Sequence, residues 1–181
     1  MRIASIVPTL LLLGALCGCS YHPDRKQSIT EGDFLEPVVS GDQREVWKEI
    51  AELKERADLD FQNAEIHRDL AVLYRLAGTP RARLLSSEEI DRAIGLAPLN
   101  PLYRVEKGLT LLAQRFVGEA EQCFLDAVKM DPRCFEAWFQ LGRMEQYEYL
   151  KTMCFPDHLK SAIEYFGKAY RLDRKHEATL V

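Results

Sequence analysis

The sequence predicts an all-α protein, an α-solenoid of antiparallel helix pairs, on two observations. First, residues 82–98 recur thirty-four positions later at 116–132, and a third copy follows, so that Ile90, Phe124 and Phe166 occupy equivalent places. Second, each copy carries a small residue, a large apolar one four positions later and another small one three after that, which share one helix face. A two-helix unit of this kind buries its apolar side by stacking on the next unit.

The same periodicity places seven helices along the chain, at about 43–58, 64–77, 85–96, 102–115, 117–130, 135–150 and 158–173. The first is predicted from an apolar stripe of residues spaced by three and four, namely Val46, Ile50, Leu53 and Ala57. Residues 43–63 are therefore interpreted as a capping helix or an orphan half repeat. Ser86 followed by Glu89 predicts a capping box at the start of the third helix.

Two of the copies carry the signature of a known repeat. In the third copy, Trp138, Leu141 and Gly142 stand as W-x2-L-G. The second copy supplies most of the remaining pattern, namely Gly108, Leu111, Ala120, Phe124, Ala127 and Pro132. Residues 64–181 thus resemble a tetratricopeptide repeat array, with repeats at about 64–100, 101–134 and 135–176.

The chain departs from the repeat pattern at two places. The first copy has three extra residues between its helices and the third has eight, which either extend a helix or form a loop. The last eight residues, 174–181, read as the joint and first turn of a fourth repeat. This end is interpreted either as the edge of a fragment or as a surface that a partner shields, because repeat stacks need terminal caps.

The start of the chain has the layout of an export signal, with Arg2, an apolar stretch from Ile3 to Leu16 and then small residues. The stretch is too short and too interrupted to be a comfortable membrane span. Residues 16–19, LCGC, resemble the lipobox of bacterial lipoproteins; an ordinary secretory signal is the alternative. The resemblance implies that residues 1–18 are removed and that Cys19 carries the covalent lipid. The residues that follow are polar, contain proline and glycine and show no sustained period, so 19–42 are interpreted as the lipidated cysteine and a flexible tether. Ser20 then implies outer-membrane anchoring, facing the periplasm.

Charge and cysteine content bound the remaining functions. The formal net charge is −4, which argues against a nucleic-acid partner because such proteins need a basic surface. An oxidising compartment permits a disulfide between two of Cys123, Cys134 and Cys154, although unpaired buried thiols are equally compatible with the sequence.

No set of residues in the sequence has the order or spacing of a catalytic motif, so a non-catalytic protein is predicted. The four histidines are scattered along the chain. Met153, Cys154 and His158 are soft ligands that lie close together in the segment 151–158. They raise metal handling, or an accessory role to an enzyme, as an alternative; the simpler interpretation is a loop that happens to contain them, with no cofactor besides the lipid on Cys19.

The repeat resemblance implies a binding surface. In such arrays the first helix of each pair lines a concave side that holds an extended peptide or a partner helix. The residues placed there by the resemblance are Arg68, Asp69, Val72, Arg75, Val105, Leu109, Leu112, Phe139, Arg143, Gln146 and Tyr147. The stripe Leu102, Val105, Leu109 and Leu112 is either part of this groove or core, and core is favoured because so large an exposed patch is unusual.

The function predicted from these features is a membrane-anchored, non-catalytic adaptor or scaffold whose repeat surface holds another envelope protein or peptide. A structural protein that assembles through its uncapped end is a further alternative.

Overall fold

The computed structural model describes residues 43–152 and 155–179, with the side chains of 174–179 not described. The described residues form seven α-helices and no strand: α1 Gln43–Leu59, α2 Ala64–Ala77, α3 Pro80–Leu96, α4 Pro101–Ala113, α5 Val117–Met130, α6 Phe135–Lys151 and α7 Pro156–Thr179. Consecutive helices pack on one another, and the predicted fold class, an all-α stack of antiparallel helix pairs, is confirmed. The pairs are α2–α3, α4–α5 and α6–α7, and α1 packs on α2.

The helices form two layers, and the turns between them lie at two opposite edges of the stack. Helix α4 contacts both α2 and α6, so these three form the inner layer, while α1, α3, α5 and α7 form the outer layer. The turns at 78–79 and 114–116, and the end of α6 with the start of α7, lie at one edge, which we call the entry edge because α1 starts there. The turns that precede each pair, at 60–63, 97–100 and 131–134, lie at the opposite edge.

Two glycines explain how closely the helices of a pair approach. A Cβ atom on Gly108 would lie 2.5 Å from Cε1 of Phe124, and one on Gly142 would lie 2.8 Å from Cδ1 of Phe166. Phe124 is completely buried because its ring fills the space that the missing side chain leaves. In the first pair Ala71 takes the place of the glycine and shares a core cluster with Ile90, a smaller residue than phenylalanine. The small-against-large pattern of the sequence is thus a packing rule.

The predicted start of the third helix was wrong. Helix α3 begins at Pro80, five residues earlier, and Thr79 caps it by accepting a hydrogen bond from the Ala82 amide at 3.1 Å. Threonine followed by proline fixes the backbone for a first helical turn. Ser86 lies inside the helix, where its hydroxyl donates to the Ala71 carbonyl at 2.8 Å and takes no part in a cap. The extra residues of the first copy lengthen α3.

The C-terminal prediction was also wrong. Residues 174–179 continue α7, which runs without interruption to Thr179, and do not form the joint of a fourth repeat. No proline or glycine after Gly167 stops the helix. At the other end of the stack, the stripe predicted for α1 is confirmed: Ile50 and Leu53 are buried against α2, with Val46 and Ala57 packed beside them.

Candidate protein-interaction surface

The inner surface of α2 is charged but largely neutralised by its own ion pairs. Arg68 lies between two carboxylates, at 2.9 Å from Glu65 and 3.2 Å from Asp69. Arg75 bridges to α4, where its guanidinium lies 3.2 Å from Glu106. Its side chain is only 8 % exposed, so Arg75 links the two inner helices more than it offers a charge to a ligand.

A second polar link between α2 and α4 was missed in the sequence. The Tyr103 hydroxyl donates a hydrogen bond to Oε1 of Glu65 at 2.6 Å. Burial of the ring, together with this bond to a carboxylate, raises the pKa of Tyr103 to about 12. Hydrogen bonds from Tyr103 and then Arg68 lower the pKa of Glu65. The signal that was present is the three-residue spacing of Tyr103 and Glu106, which puts both on the face of α4 toward α2.

Asp69 and Val72 line an open groove where α2 meets α1. The groove has a volume of about 370 Å³ and is lined by Glu49, Glu52, Leu53, Arg56, Asp69, Val72 and Leu73. Its lining combines an apolar floor with three carboxylates and one guanidinium. The α1 residues were not among the predicted site residues, because the sequence did not indicate which side of α1 faces the groove.

Two of the predicted groove residues in α4 belong to the core. Val105 is 3 % exposed and Leu112 is 4 % exposed, and both pack in the cluster that contains Phe124. They lie three and four residues from Gly108, on the side of α4 that its pair buries, so the interpretation of this stripe as core is confirmed for them. Leu109 is partly buried against the same cluster, whereas Leu102 at the helix start is 45 % exposed.

Helix α6 presents a different, aromatic face at the positions that correspond to Val105 and Leu112 in α4. The Phe139 ring stacks on Phe135, with centroids 5.8 Å apart, and meets Phe166 edge to face at 5.7 Å. The next turns carry partly exposed polar side chains. Arg143 donates to Gln140 at 3.3 Å, Gln146 is partly exposed and Tyr147 lies under the Lys151 ammonium at 5.8 Å. Aromatic rings beside amide and hydroxyl groups suit a peptide or helix partner, which offers both apolar and backbone polar groups.

The remaining predicted sites are placed only in part. Cys19, Met153 and Cys154 lie outside the described residues. His158 is held by Glu145, its Nδ1 lying 2.8 Å from Oε2, and no group of three metal-binding side chains occurs in 43–152 and 155–179.

The described residues include two cysteines that the sequence left open to disulfide formation. Cys123 and Cys134 are both free thiols, and burial raises the pKa of each. None of the described helices combines the length and apolarity that spanning a bilayer requires.

Comparisons with known proteins give a structural neighbour without a family. No protein-family model matches the chain, and no curated protein sequence matches it. Among solved structures, the crystal structure of MamA is similar, with 16% sequence identity and a TM-score of 0.45, over 71% of this chain and 89% of that one.

Proposed function

We propose that this protein is a membrane-anchored, non-catalytic adaptor of the bacterial cell envelope that holds another envelope protein or peptide on its inner layer. The observation that carries the proposal is one face of α6, where Phe139 is followed by Arg143, Gln146 and Tyr147, all partly exposed. These four residues are called the α6 surface below.

The α6 surface is a better candidate than the inner surface of α2. On α2, the charges of Arg68 and Arg75 are already matched by carboxylates, so a charged partner would have to break those pairs. Within the α6 surface, the partly exposed groups are two rings and one amide beside a single arginine. Burying aromatic area against a partner stabilises a complex without first separating buried ions. We therefore expect α6 to supply most of the affinity and α2 to supply orientation.

The anchoring part of the proposal rests on the lipobox resemblance at residues 16–19. A diacylglycerol on Cys19, with the tether 19–42, would confine the stack to a layer close to the membrane. Confinement raises the effective concentration of two envelope proteins, so contacts of micromolar affinity suffice for a stable assembly. Outer-membrane anchoring on the periplasmic side is the proposed location, because Ser20 follows the lipidated position.

The partner is tested by site-specific photocrosslinking in intact cells. A photoreactive amino acid at Gln146 probes the α6 surface, and the same amino acid at Glu121, an exposed residue of the outer helix α5, is the matched control. We expect one envelope protein to be recovered from position 146 and not from position 121. Equal recovery from both positions would contradict binding at α6. So would recovery that is unchanged by Tyr147→Ala when the photoreactive amino acid is placed at a position beside Gln146.

The anchor is tested by metabolic labelling with a fatty-acid analogue. Cys19→Ser should abolish incorporation and release the protein from the membrane fraction, whereas Cys17→Ser should leave both unchanged. Incorporation that depends on Cys17, or none at all, would overturn the anchor and leave the binding surface to be judged by the crosslinks alone.

A further inference from the structure

The entry edge of the first two pairs is basic and apolar, in a chain whose overall charge is negative. Residues 70–87 and 107–118 contain no aspartate or glutamate, although the chain has 28 acidic residues in total. The exposed residues of these segments include three arginines and several large apolar side chains. We call the following set the arginine patch: Arg81, Arg83, Leu84, Arg115 and Phe116.

Two hydrogen bonds show that the arginine patch is contiguous. The Gln114 side chain, at the end of α4, donates to the Arg83 carbonyl in α3 at 2.8 Å. One turn further into the stack, the Ser86 and Thr110 hydroxyls lie 3.1 Å apart. The first turns of α3 are thereby held beside the turn that contains Arg115. Leu84 and Phe116 project from this region with 65 % and 50 % of their surface exposed.

The two arginines that α3 contributes to the patch are not neutralised by ion pairs. No carboxylate among residues 43–152 and 155–173 forms an ion pair with Arg81 or Arg83, and the nearest acids along the chain are Asp69 and Glu88. Both arginines are exposed on the first turn of α3. They are therefore available to anions that approach this edge.

Arg115 occupies a backbone position that favours glycine. Its φ is 69°, in the left-handed region, and it is the only non-glycine residue of the described chain with a positive φ. Its amide donates to Leu112 and the next amide to Leu111, both at 2.9 Å, which is the hydrogen-bond pattern that closes many helices. Gly78 ends α2 in the same way with φ 66°. The chain accepts strain at Arg115, and strain of this kind is retained where the side chain has a use.

The chain enters the stack at this same edge. The Trp47 ring, near the start of α1, lies 6.4 Å from the ring of Tyr74, near the end of α2. Gln43 is therefore at the edge that carries the arginine patch.

The opposite edge lacks this combination. It also has exposed apolar residues, including Phe61 and Leu99, but its turns carry Asp60 and Asp131, and Arg133 is their one arginine. Apolar exposure alone thus does not distinguish the two edges, whereas charge does.

We infer that the arginine patch docks on the surface of an anionic phospholipid membrane. Guanidinium groups bind phosphate with two parallel hydrogen bonds, and leucine and phenylalanine beside them insert at the boundary of headgroups and acyl chains. An acidic protein would match the arginines, but its charge alone would not account for the exposed Leu84 and Phe116 beside them. The inference rests on the proposed function only for which membrane is involved.

Binding to vesicles tests the inference without the covalent lipid. The full chain with Cys19→Ser is mixed with vesicles of phosphatidylcholine alone or with phosphatidylglycerol added. The patch variant combines Arg81→Gln, Arg83→Gln and Arg115→Gly. The control variant removes the same charge from exposed residues away from the entry edge, by Lys54→Gln, Arg56→Gln and Arg133→Gln. The apolar residues 3–16 are present in all three proteins and add equally to vesicle binding, so the result is the ratio of the vesicle affinities of parent, patch variant and control.

We expect the patch variant to bind phosphatidylglycerol vesicles about a hundredfold less tightly than the parent, since each arginine contributes about fivefold near an anionic surface. The control should lose much less, and binding to phosphatidylcholine alone should change little in either. An equal loss of vesicle affinity in both variants would overturn the inference. So would a parent protein that binds vesicles with and without phosphatidylglycerol equally tightly.

A second pair of substitutions separates lipid from an acidic protein. Leu84→Ser with Phe116→Ser keeps all arginines and should weaken vesicle binding severalfold, because the apolar contribution is lost. Unchanged vesicle binding in this variant would contradict insertion of Leu84 and Phe116 at the headgroup boundary, and with it the argument that favours lipid over an acidic protein. Thermal unfolding checks that each variant is folded, and Arg115→Gly is expected to raise the midpoint. Because lipidation is absent throughout, these outcomes are independent of the Cys19 labelling and of the Gln146 crosslinks.

Discussion

The first and third helix pairs use the same packing rule but are joined by different chemistry. In α2–α3 the links are buried and polar: Nδ1 of His67 lies 2.7 Å from Oε2 of Glu89, and its Nε2 lies 3.0 Å from the Phe61 carbonyl. In α6–α7 the corresponding contacts are aromatic, with Trp138 against Tyr165 at 5.6 Å and Phe139 against Phe166 at 5.7 Å. The third pair also has a histidine–glutamate bond, between His158 and Glu145, but it is partly exposed.

This difference shows which parts of the repeat are fixed and which are free to vary. The contact of a small residue with a large one is present in all three pairs because it sets the distance between the helices. The contacts around it only have to be satisfied, by buried hydrogen bonds in one pair and by rings in the other. A buried polar group that loses its partner is costly, whereas ring contacts can readjust. We therefore expect the first pair to be rigid and specific and the third to be the one that adapts to a partner.

The largest effect that would test this contrast comes from Glu89→Ala. Glu89 serves two partners, His67 and Arg92, and its side chain is 10 % exposed. Removing one partner of a buried pair leaves the other without compensation, so we expect a loss of about 3 kcal/mol in the free energy of unfolding. Glu145→Ala breaks the matching bond in the third pair, where exposure limits the loss to about 1 kcal/mol or less. Urea unfolding of both variants measures the difference, and equal losses would remove the contrast.

Gly142→Ala should destabilise the third pair by about 1–2 kcal/mol, since the new methyl group would press into the Phe166 ring. Gly167→Ala is the matched control on α7, because nothing lies within 4 Å of its added Cβ. There the better helix propensity of alanine should raise stability by about 0.8 kcal/mol. Thermal unfolding compares the two, and a stable Gly142→Ala variant would show that the aromatic contact is looser than the structure indicates.

Tyr103→Phe sharpens the contrast by removing a polar link between the first pair and α4. The lost hydrogen bond should cost about 1 kcal/mol at neutral pH. The pKa of Glu65 is lowered in the folded state, so its stabilisation is present above its ordinary pKa of about 4.3 and is lost as the pH falls through the lower folded value. The parent should therefore lose its advantage over Tyr103→Phe on acidification through this range.

The alkaline side gives a second check of the same bond. The pKa of Tyr103 is raised to about 12 in the folded state, so its stabilisation is present below pH about 10 and is lost as the pH rises through about 12. Unfolding curves of parent and Tyr103→Phe at several pH values measure both the acidic and the alkaline change in stability. A difference between parent and variant that does not change with pH would contradict the Tyr103–Glu65 bond.

The smallest effect is a gain in stability from Arg115→Gly. Glycine adopts the left-handed conformation of this turn without strain, so we expect about 0.5–1 kcal/mol of stabilisation. Gly78→Ala is the reciprocal change in the first pair and should cost a similar amount. Opposite signs in calorimetry would confirm that the two turns are equivalent, whereas destabilisation by Arg115→Gly would mean that contacts of the arginine side chain outweigh the strain.

The sequence was sufficient for the features that depend on side-chain size and spacing. The approach of Gly108 to Phe124 follows from the repeat itself, because a small and a large residue at matching positions have one way to pack. The stripe of α1 was equally clear. Such patterns are local and periodic, and they require no knowledge of distant residues.

Features that depend on distant contacts were mistaken or missed. Ser86 and Glu89 have the spacing of a capping box, but their partners are Ala71 and His67 in the preceding helix, and only the fold brings these together. The side of α4 that is buried depends on its rotation, which decided the burial of Val105. Nothing about an arginine signals a left-handed conformation, so the turn at 115 could not be predicted.

Helix length has a consequence for a stack that rests on lipid by its entry edge. Helix α6 has 17 residues, which at 1.5 Å per residue makes it about 25 Å long. Its axis runs from one edge to the other, so it would stand perpendicular to the bilayer plane. Each added pair would then lengthen the stack parallel to that plane. A partner on α6 would lie within about one helix length of the membrane surface, where proteins embedded in or tethered to the same leaflet could reach it.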